Sequence, residues 1–353
     1  MKIGILEGDD IGHEVVPEAV KVMRAAAQIS GLAIDWQPLP IGKRAYDTLG
    51  YTLPPGTLEK LEALDGWVLG PIGHMAYPKV PEAVNPHPIL RKHFDLFANI
   101  RPALSYPGIP SLHQDVDLVI VRENNEGFQP DRNVVAGSGE FRPTHDMTIS
   151  VRVITRQGSS KVIHEAFKLA RSRRKQLTIV HKDTVFKLGC GMFVEEAKRI
   201  AAEYPDVTMN EAIVDTFAMR LVMTPQKYDV VVTTNMFGDI LTDEAAGLVG
   251  GLGLAPGLSA GPKHAMAQAT HGSAPDIAGR GIANPYAMVM SGKMLLDWLG
   301  RKHDVPQASH AAALIEAAVS RVMREKTALT ADLGGTSKTH EMGDAIVKAL
   351  MTQ

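Results

Sequence analysis

The stretch NMFGDILTDEAAG, residues 235–247, carries two carboxylates, Asp239 and Asp243, four positions apart. On a helix that spacing puts both side chains on one face, roughly 6 Å apart at Cβ. From there, oxygen ligands can share one hard divalent cation. Acids in a first turn also complement the helix dipole, and the segment alone fits either role. A third acid, Asp215, follows a strand-like run, and Arg91, Arg101 and Arg122 offer guanidinium forks suited to carboxylates. Taken singly, each arginine reads equally as half of a surface ion pair. Two small-residue loops, GDDIG at 8–12 and HGSAPDIAGRGIANP at 271–285, can bring backbone N–H groups close to a phosphate or ribose, or can be ordinary tight connections. No G-x-G-x-x-G is present, and GLGLAPG at 251–257 misses the spacing, so a standard dinucleotide fingerprint is absent.

Something must position these groups, and the chain alternates two patterns. IGILEG at 3–8, GWVLGP at 66–71, DLVIVRE at 117–123, LTIVHK at 177–182 and YDVVVTTN at 228–235 read as buried parallel strands. EVVPEAVKVMRAAAQI, VIHEAFKLARSRR and MFVEEAKRIAAEY repeat apolar residues at spacings of three and four, as core-facing helices do. The alternation predicts an α/β fold. It breaks between Gln129 and His145, where PDRNVVAGSGEFRPTHD is turn-rich. The following MTISVRVITR alternates like a half-exposed strand, which predicts an arm or hairpin. GGLGLAPGLSAGP at 250–262 is the best candidate hinge.

Composition narrows the function classes. The 353 residues, 45% hydrophobic, are enough for two domains with substantial cores. Thirty-seven basic against 39 acidic residues, without long single-sign blocks, argue against nucleic-acid or membrane-surface binding. The single cysteine, Cys190, fits a reducing compartment. MKIGILEGDD reads as a strand and turn rather than a secretion signal, and no apolar run reaches the length of a membrane span. A soluble cytoplasmic protein is expected.

LRKHFDLFANIRPA, VRENNEG, the HK pair at 181–182, NMFGDILTDEAAGLVGGLG and HGSAPDIAGRGIANP follow one another along nearly the whole chain. In that order they closely resemble the isocitrate and isopropylmalate dehydrogenase family, metal-dependent oxidoreductases that act on (2R)-malate-type hydroxyacids and often decarboxylate them. The resemblance implies an α/β, doubly wound sheet of the isopropylmalate dehydrogenase type. It implies a cofactor domain from residues 1–98 and 254–353, a substrate and dimerisation domain from 99–253, and an intersubunit arm near 129–156. It implies that Arg91, Arg101 and Arg122 hold substrate carboxylates, and that Asp239 and Asp243, with Asp215 from the partner subunit of a homodimer, bind Mg²⁺ or Mn²⁺. Lys182 would act across the dimer as base, with Asp215 beside it in the catalytic set. Ile11, Thr184, His271, Gly272, Ala274, Asp276, Ile277 and Asn284 would hold NAD. Asp276 on the ribose hydroxyls would repel the 2′-phosphate of NADP.

The chain departs from the family pattern at several points. Gln129 stands where relatives carry the tyrosine that donates a proton to the enolate. A neutral carboxamide is no general acid in this range. Thr184 replaces an asparagine, Gln268 a glutamate, and GDGIGPE has become GDDIGHE. His87, four residues before Arg91, falls where relatives recognise the C3 substituent, and either substrate contact or a structural role suits it. The expectation is NAD- and metal-dependent oxidation, with decarboxylation, of a malate-type acid bearing a small or polar C3 substituent. A tartrate-type enzyme without obligatory decarboxylation and a non-catalytic regulatory subunit of the same family are the alternatives.

Overall fold

A computed structural model describes residues 1–128 and 139–352, so Gln129 and most of the turn-rich segment after it lie outside the described residues. The strands are β1 Lys2–Leu6, β2 Asp35–Pro38, β3 Gly66–Leu69, β4 Ala98–Leu104, β5 Asp117–Glu123, β6 Glu140–Thr144, β7 Met147–Ser150, β8 Gln176–His181, β9 Thr208–Ile213, β10 Val230–Thr233, β11 Leu258–Ala260 and β12 Ala265–Ala267. The helices are α1 Gly12–Ser30, α2 Gly42–Leu49, α3 Thr57–Glu62, α4 Pro86–His93, α5 Arg156–Arg171, α6 Gly189–Ala201, α7 Val214–Met223, α8 Asn235–Val249, α9 Tyr286–His303, α10 Pro306–Glu325 and α11 Thr339–Met351.

Ten strands form one sheet in the order β2-β1-β3-β12-β11-β4-β5-β10-β8-β9. The five apolar runs read as parallel strands are β1, β3, β5, β8 and β10, and all of β3 and β10 is buried. Continuous burial is what a strand covered by helices on both faces requires. The middle of the sheet departs from a fully parallel pattern: β12, β11, β4 and β5 pair antiparallel in turn. The chain crosses from one end of the sheet to the other at β4 and returns at β11. GGLGLAPGLSAGP is therefore the return crossing. Gly250 and Gly251, at φ 131° and 108°, stop α8, and Leu254 and Leu258 are buried beyond it.

Helices α1, α9, α10 and α11 pack on one another beside the end of the sheet built from both chain termini. Amphipathic spacing sets their faces, and local chemistry sets their ends. In α1 the backbone of Gly31, at φ 71°, closes the last turn onto Ala27 and Gln28. In α4 the Asn85 side chain caps the first turn, and Pro86 occupies a position where a missing N–H costs nothing.

The hairpin β6–β7 stands apart from the large sheet and is exposed along both strands. The alternation of MTISVRVITR predicts one buried face; among the described residues Met147–Ser150 are exposed on both faces, and only residues 151–154 beyond them are half-buried. No helix among the described residues is long and apolar enough to cross a membrane.

Candidate active site

Strand register brings the arginines together. In the antiparallel pair β4–β5, Asn99 lies opposite Arg122, and Arg101 is two residues from Asn99 on the same face. Strands β5 and β10 are parallel neighbours with Arg122 beside Thr233, so α8, which starts at Asn235, begins at the end of the strand bearing Arg122. A pocket of about 270 Å³ opens there. His74, His87, Arg91, Arg101, Arg122 and Asp239 all line it, with Gln268 to Gly272 along another wall.

The two inner arginines are braced. Arg122, 2% exposed, donates from Nε (3.2 Å) and Nη2 (2.6 Å) to Asn235 Oδ1, and from Nη1 to Asp239 Oδ1. Arg101 donates to Asn99 Oδ1 at 2.5 Å and to Thr242 Oγ1 at 2.6 Å, and its Nη1 lies 3.4 Å from Asp243 Oδ1. Gly238 lets Arg122 in, because a Cβ there would sit 2.6 Å from Arg122 Cγ and 2.7 Å from its Cβ. Burial pushes the Arg101 guanidinium down to about 10 and the Arg122 charge opposes it as well, while Asp239 and Asp243 pull the other way. Both arginines stay charged at neutral pH. Desolvation pushes the Asp243 carboxyl up, offset chiefly by Arg101.

Asp239 and Asp243 therefore do lie on one helix face, Asp239 lining the pocket and Asp243 against Arg101, each with a side chain more than half exposed. Two reachable carboxylates fit a hard divalent cation. Among the described residues no group of three or more His, Cys, Asp or Glu side chains can hold a metal, so no third side chain of these types joins the pair there. Asp215 is instead paired with Lys182, whose Nζ donates to Asp215 Oδ1 at 2.7 Å. That hydrogen bond holds the exposed Asp215 carboxyl below the usual carboxylate range. Neither residue lines the pocket. Lys182 follows β8, two strands from β5, about 10 Å along the sheet at ordinary strand spacing.

The glycine-rich loops meet. Ile11 N–H donates to Ser273 O at 3.1 Å, tying GDDIG to HGSAPD. A Cβ on Gly12 or Gly70 would fall 2.0 or 1.9 Å from Glu7 O, so this junction accepts only glycine. Buried Asp9 anchors it, accepting from Lys43 N–H (2.6 Å), Gly73 N–H (2.7 Å) and Tyr77 O–H (2.6 Å). Ala274 takes a left-handed φ of 45°. His271 Nδ1 meets Gly272 O at 3.0 Å, its Nε2 is buried without a partner, and burial pushes its pKa down. An orphaned ring nitrogen beside open Gly272 is what a loop that receives a polar ligand presents. Asp276 and Thr184 are exposed and Ile277 is half-buried. Asn284 spends its amide inside the protein, donating to Asp332 Oδ2 (2.9 Å) and accepting from Tyr286 N–H (2.9 Å).

Residue types and spacing do not point to Asn235, Asn99, Thr242, Asp9 or His74. Glu123 is also silent in the sequence. It is buried, accepts from Asn125 N–H (2.6 Å) and Glu126 N–H (2.8 Å), and faces the Asn235 amide at 3.4 Å. Desolvation outweighs those donors and pushes its carboxyl up to about 7. A raised folded pKa contributes stability that is present below the ordinary carboxyl value and lost as pH rises to about 7. The loss is of order 3 kcal/mol. Urea unfolding between pH 5 and 8 checks this: Glu123→Gln is expected to flatten the decline.

Comparison with known proteins places the geometry in context. The family model described as isocitrate/isopropylmalate dehydrogenase matches residues 2–346. The chain is 41% identical over 350 residues to the isocitrate/homoisocitrate dehydrogenase of Thermus thermophilus, covering 99% of this chain and 98% of the relative. It is 38% identical over 351 residues to the 3-isopropylmalate dehydrogenase of Methanothermobacter thermautotrophicus, covering 99% and 98%. The crystal structure of isocitrate dehydrogenase from Methylococcus capsulatus superposes with a TM-score of 0.86 at 41% identity, with 99% of each chain covered.

Proposed function

Since the chain belongs to the isocitrate/isopropylmalate dehydrogenase family, we propose that it oxidises a (2R)-malate-type 2-hydroxy dicarboxylic acid with a small or polar C3 substituent, using NAD and Mg²⁺ or Mn²⁺. The observation that carries this reading is the convergence of Arg91, Arg101 and Arg122 with Asp239 on one polar pocket, with Asp243 against Arg101. Three guanidinium groups match a dianionic substrate, and two accessible carboxylates match a hard cation. Relatives named for different substrates are nearly equally similar to this chain, so the substrate is argued from the pocket. His74, His87, Asn99 and Gln268 give it polar walls, whereas an isopropyl group needs apolar ones.

Asp239 and Asp243 would hold the cation, which would supply Lewis-acid charge for the oxidation, and NAD would supply the hydride acceptor. This chain's own residues do the rest. The arginines bind and orient the carboxylates, Arg101 and Arg122 held rigid by Asn99, Asn235 and Thr242. Lys182 of a second copy, as the free amine once its own proton has passed to solvent, takes the hydroxyl proton, and Asp215 of that copy, paired to it, would complete the ligand set. The Ile11–Ser273 junction and His271, Gly272, Ala274, Asp276 and Ile277 form the NAD loop, with Thr184 and Asn284 at its margins.

A second copy is supported by surface that one chain leaves in water. Met219, Val222 and Met223 on α7, Met236 and Ile240 on α8, and Phe141 and Met147 on the hairpin are all exposed. Large apolar side chains left exposed on packed neighbours such as α7 and α8 suit an interface. The hairpin would be the intersubunit arm, and the crossings at β4 and β11 would divide a cofactor domain (1–98 with 254–353) from a substrate domain (99–253).

A tartrate-type reaction without obligatory decarboxylation is the second reading, favoured by Gln129, which cannot donate a proton as tyrosine can. One experiment separates the readings: a panel of malate, C3-substituted malates, tartrates and isocitrate with Mn²⁺ and either NAD or NADP, following NADH and carbon dioxide together. Turnover of a small or polar substrate, preferring NAD, is expected. Preferred turnover of 3-isopropylmalate, or equal efficiency with NADP, contradicts the reading.

A further inference from the structure

Two residues in the pocket that come from distant parts of the chain are paired. Gln268, 8% exposed, directly follows β12, and its backbone N–H is fixed to Gly257 O at 3.0 Å. His87 lies in the first turn of α4, its backbone N–H held by Asn85 Oδ1 at 3.1 Å. The side-chain nitrogen of Gln268 is 2.5 Å from His87 Nε2 and 3.4 Å from Gly70 O. A carbonyl oxygen only accepts, so the Gly70 contact identifies this end of the amide as its NH₂ group. The same NH₂ can only donate to His87. The ring nitrogen that receives it therefore carries no proton, which puts the ring's proton on Nδ1.

We infer that Gln268 is a positioning residue that locks His87 in its uncharged Nδ1–H form, so that the wall beside the substrate's third carbon offers polar contact without a positive charge. The location of that carbon rests on the proposed function; the protonation lock does not. The consequence is selection. With His87 uncharged, a third carboxylate on the C3 substituent finds no cation on this wall. Protonating His87 on Nε2 would set its new N–H against the amide NH₂, and turning the amide over would give up the Gly70 contact. The other titratable or charged groups facing this space are His74, Arg91, Arg101, Arg122, Asp239 and His271, and they are common to every variant compared below.

Nitrogen-15 NMR of the histidine rings tests the lock directly, with His87 identified by the signals missing from His87→Gln. The wild-type ring is expected as the Nδ1–H tautomer. In Gln268→Glu the carboxylate can only accept, so Nε2 is expected to gain a proton. An Nε2–H ring in the wild type, or identical spectra in both proteins, overturns the inference. The kinetic arm compares kcat/KM for isocitrate with that for tartrate. In the wild type this ratio is expected to stay flat from pH 8 to 6. In Gln268→Ala, where no amide opposes protonation, it is expected to rise up to about tenfold as the imidazole charges. Equal pH dependence in both proteins removes the selectivity role. If no hydroxyacid turns over in any variant, the proposed function fails, and the spectra still decide the lock.

Discussion

Replacing Lys182 by methionine is expected to lower kcat by about 10²- to 10⁴-fold, the usual contribution of a positioned general base, with KM for the hydroxyacid changed little. The reason lies in where Lys182 sits. Its Nζ is held by Asp215, and in a site shared between two chains the arginines of one chain bind the carboxylates while Lys182 of the other handles the hydroxyl proton, so it contributes little to ground-state binding. Methionine keeps the unbranched stem and removes the amine, so the end of β8 and the turn closed by Phe186 N–H on Lys182 O, at 2.8 Å, are expected to persist. Steady-state kinetics with the preferred substrate checks the split. A large rise in KM at unchanged kcat would assign Lys182 to binding instead.

Arg122→Met is expected to fail differently. Removing the guanidinium takes both donors from Asn235 Oδ1, an oxygen on a fully buried side chain, and an unsatisfied buried acceptor costs about 1–3 kcal/mol. Asp239 also loses its closest cation but is half exposed, so solvent recovers most of that term. Substrate affinity is expected to fall by about 10- to 100-fold through the lost charge-assisted contacts. Chemical denaturation and substrate titration measure the two effects separately. Arg101→Met tests whether bracing matters: its closest partners, Asn99 and Thr242, are neutral, and its carboxylate partners Asp239 and Asp243 are both half exposed, so a smaller loss of stability than in Arg122→Met is expected. A wild-type unfolding free energy and KM for Arg122→Met would remove this arginine from the site.

How much of this could be read beforehand follows from the range of the interactions. Strands such as Val230–Thr233 were legible because β-branched runs buried on both faces leave a local signature, and so were α1, α5 and α6 through their apolar spacing. The antiparallel centre was not. β11 and β12 are LSA and AMA, three residues each without a β-branched side chain, held by pairing with β4 and β3 rather than by propensity. The chemically loud residues, Asp239, Asp243 and the arginines, were legible by type and spacing. Their braces were not, since Asn235 meets Arg122 across 113 positions and Gln268 meets His87 across 181. Register creates those contacts. The hairpin was legible as an arm or hairpin, but the alternation implied a covered face that the described residues do not give to β6 and β7.

The site divided between two chains is the central claim, and mixing two inactive proteins tests it most directly. Lys182→Met and Asp243→Asn are each expected to be inactive as homodimers. After subunit exchange, each hybrid dimer has one site that combines the wild-type pocket of one chain with the wild-type Lys182 and Asp215 of the other. With random exchange half the dimers are hybrids, so about a quarter of wild-type activity is expected to return, and chelation should abolish it. Exchange verified by mass spectrometry with no recovery of activity would contradict the shared site.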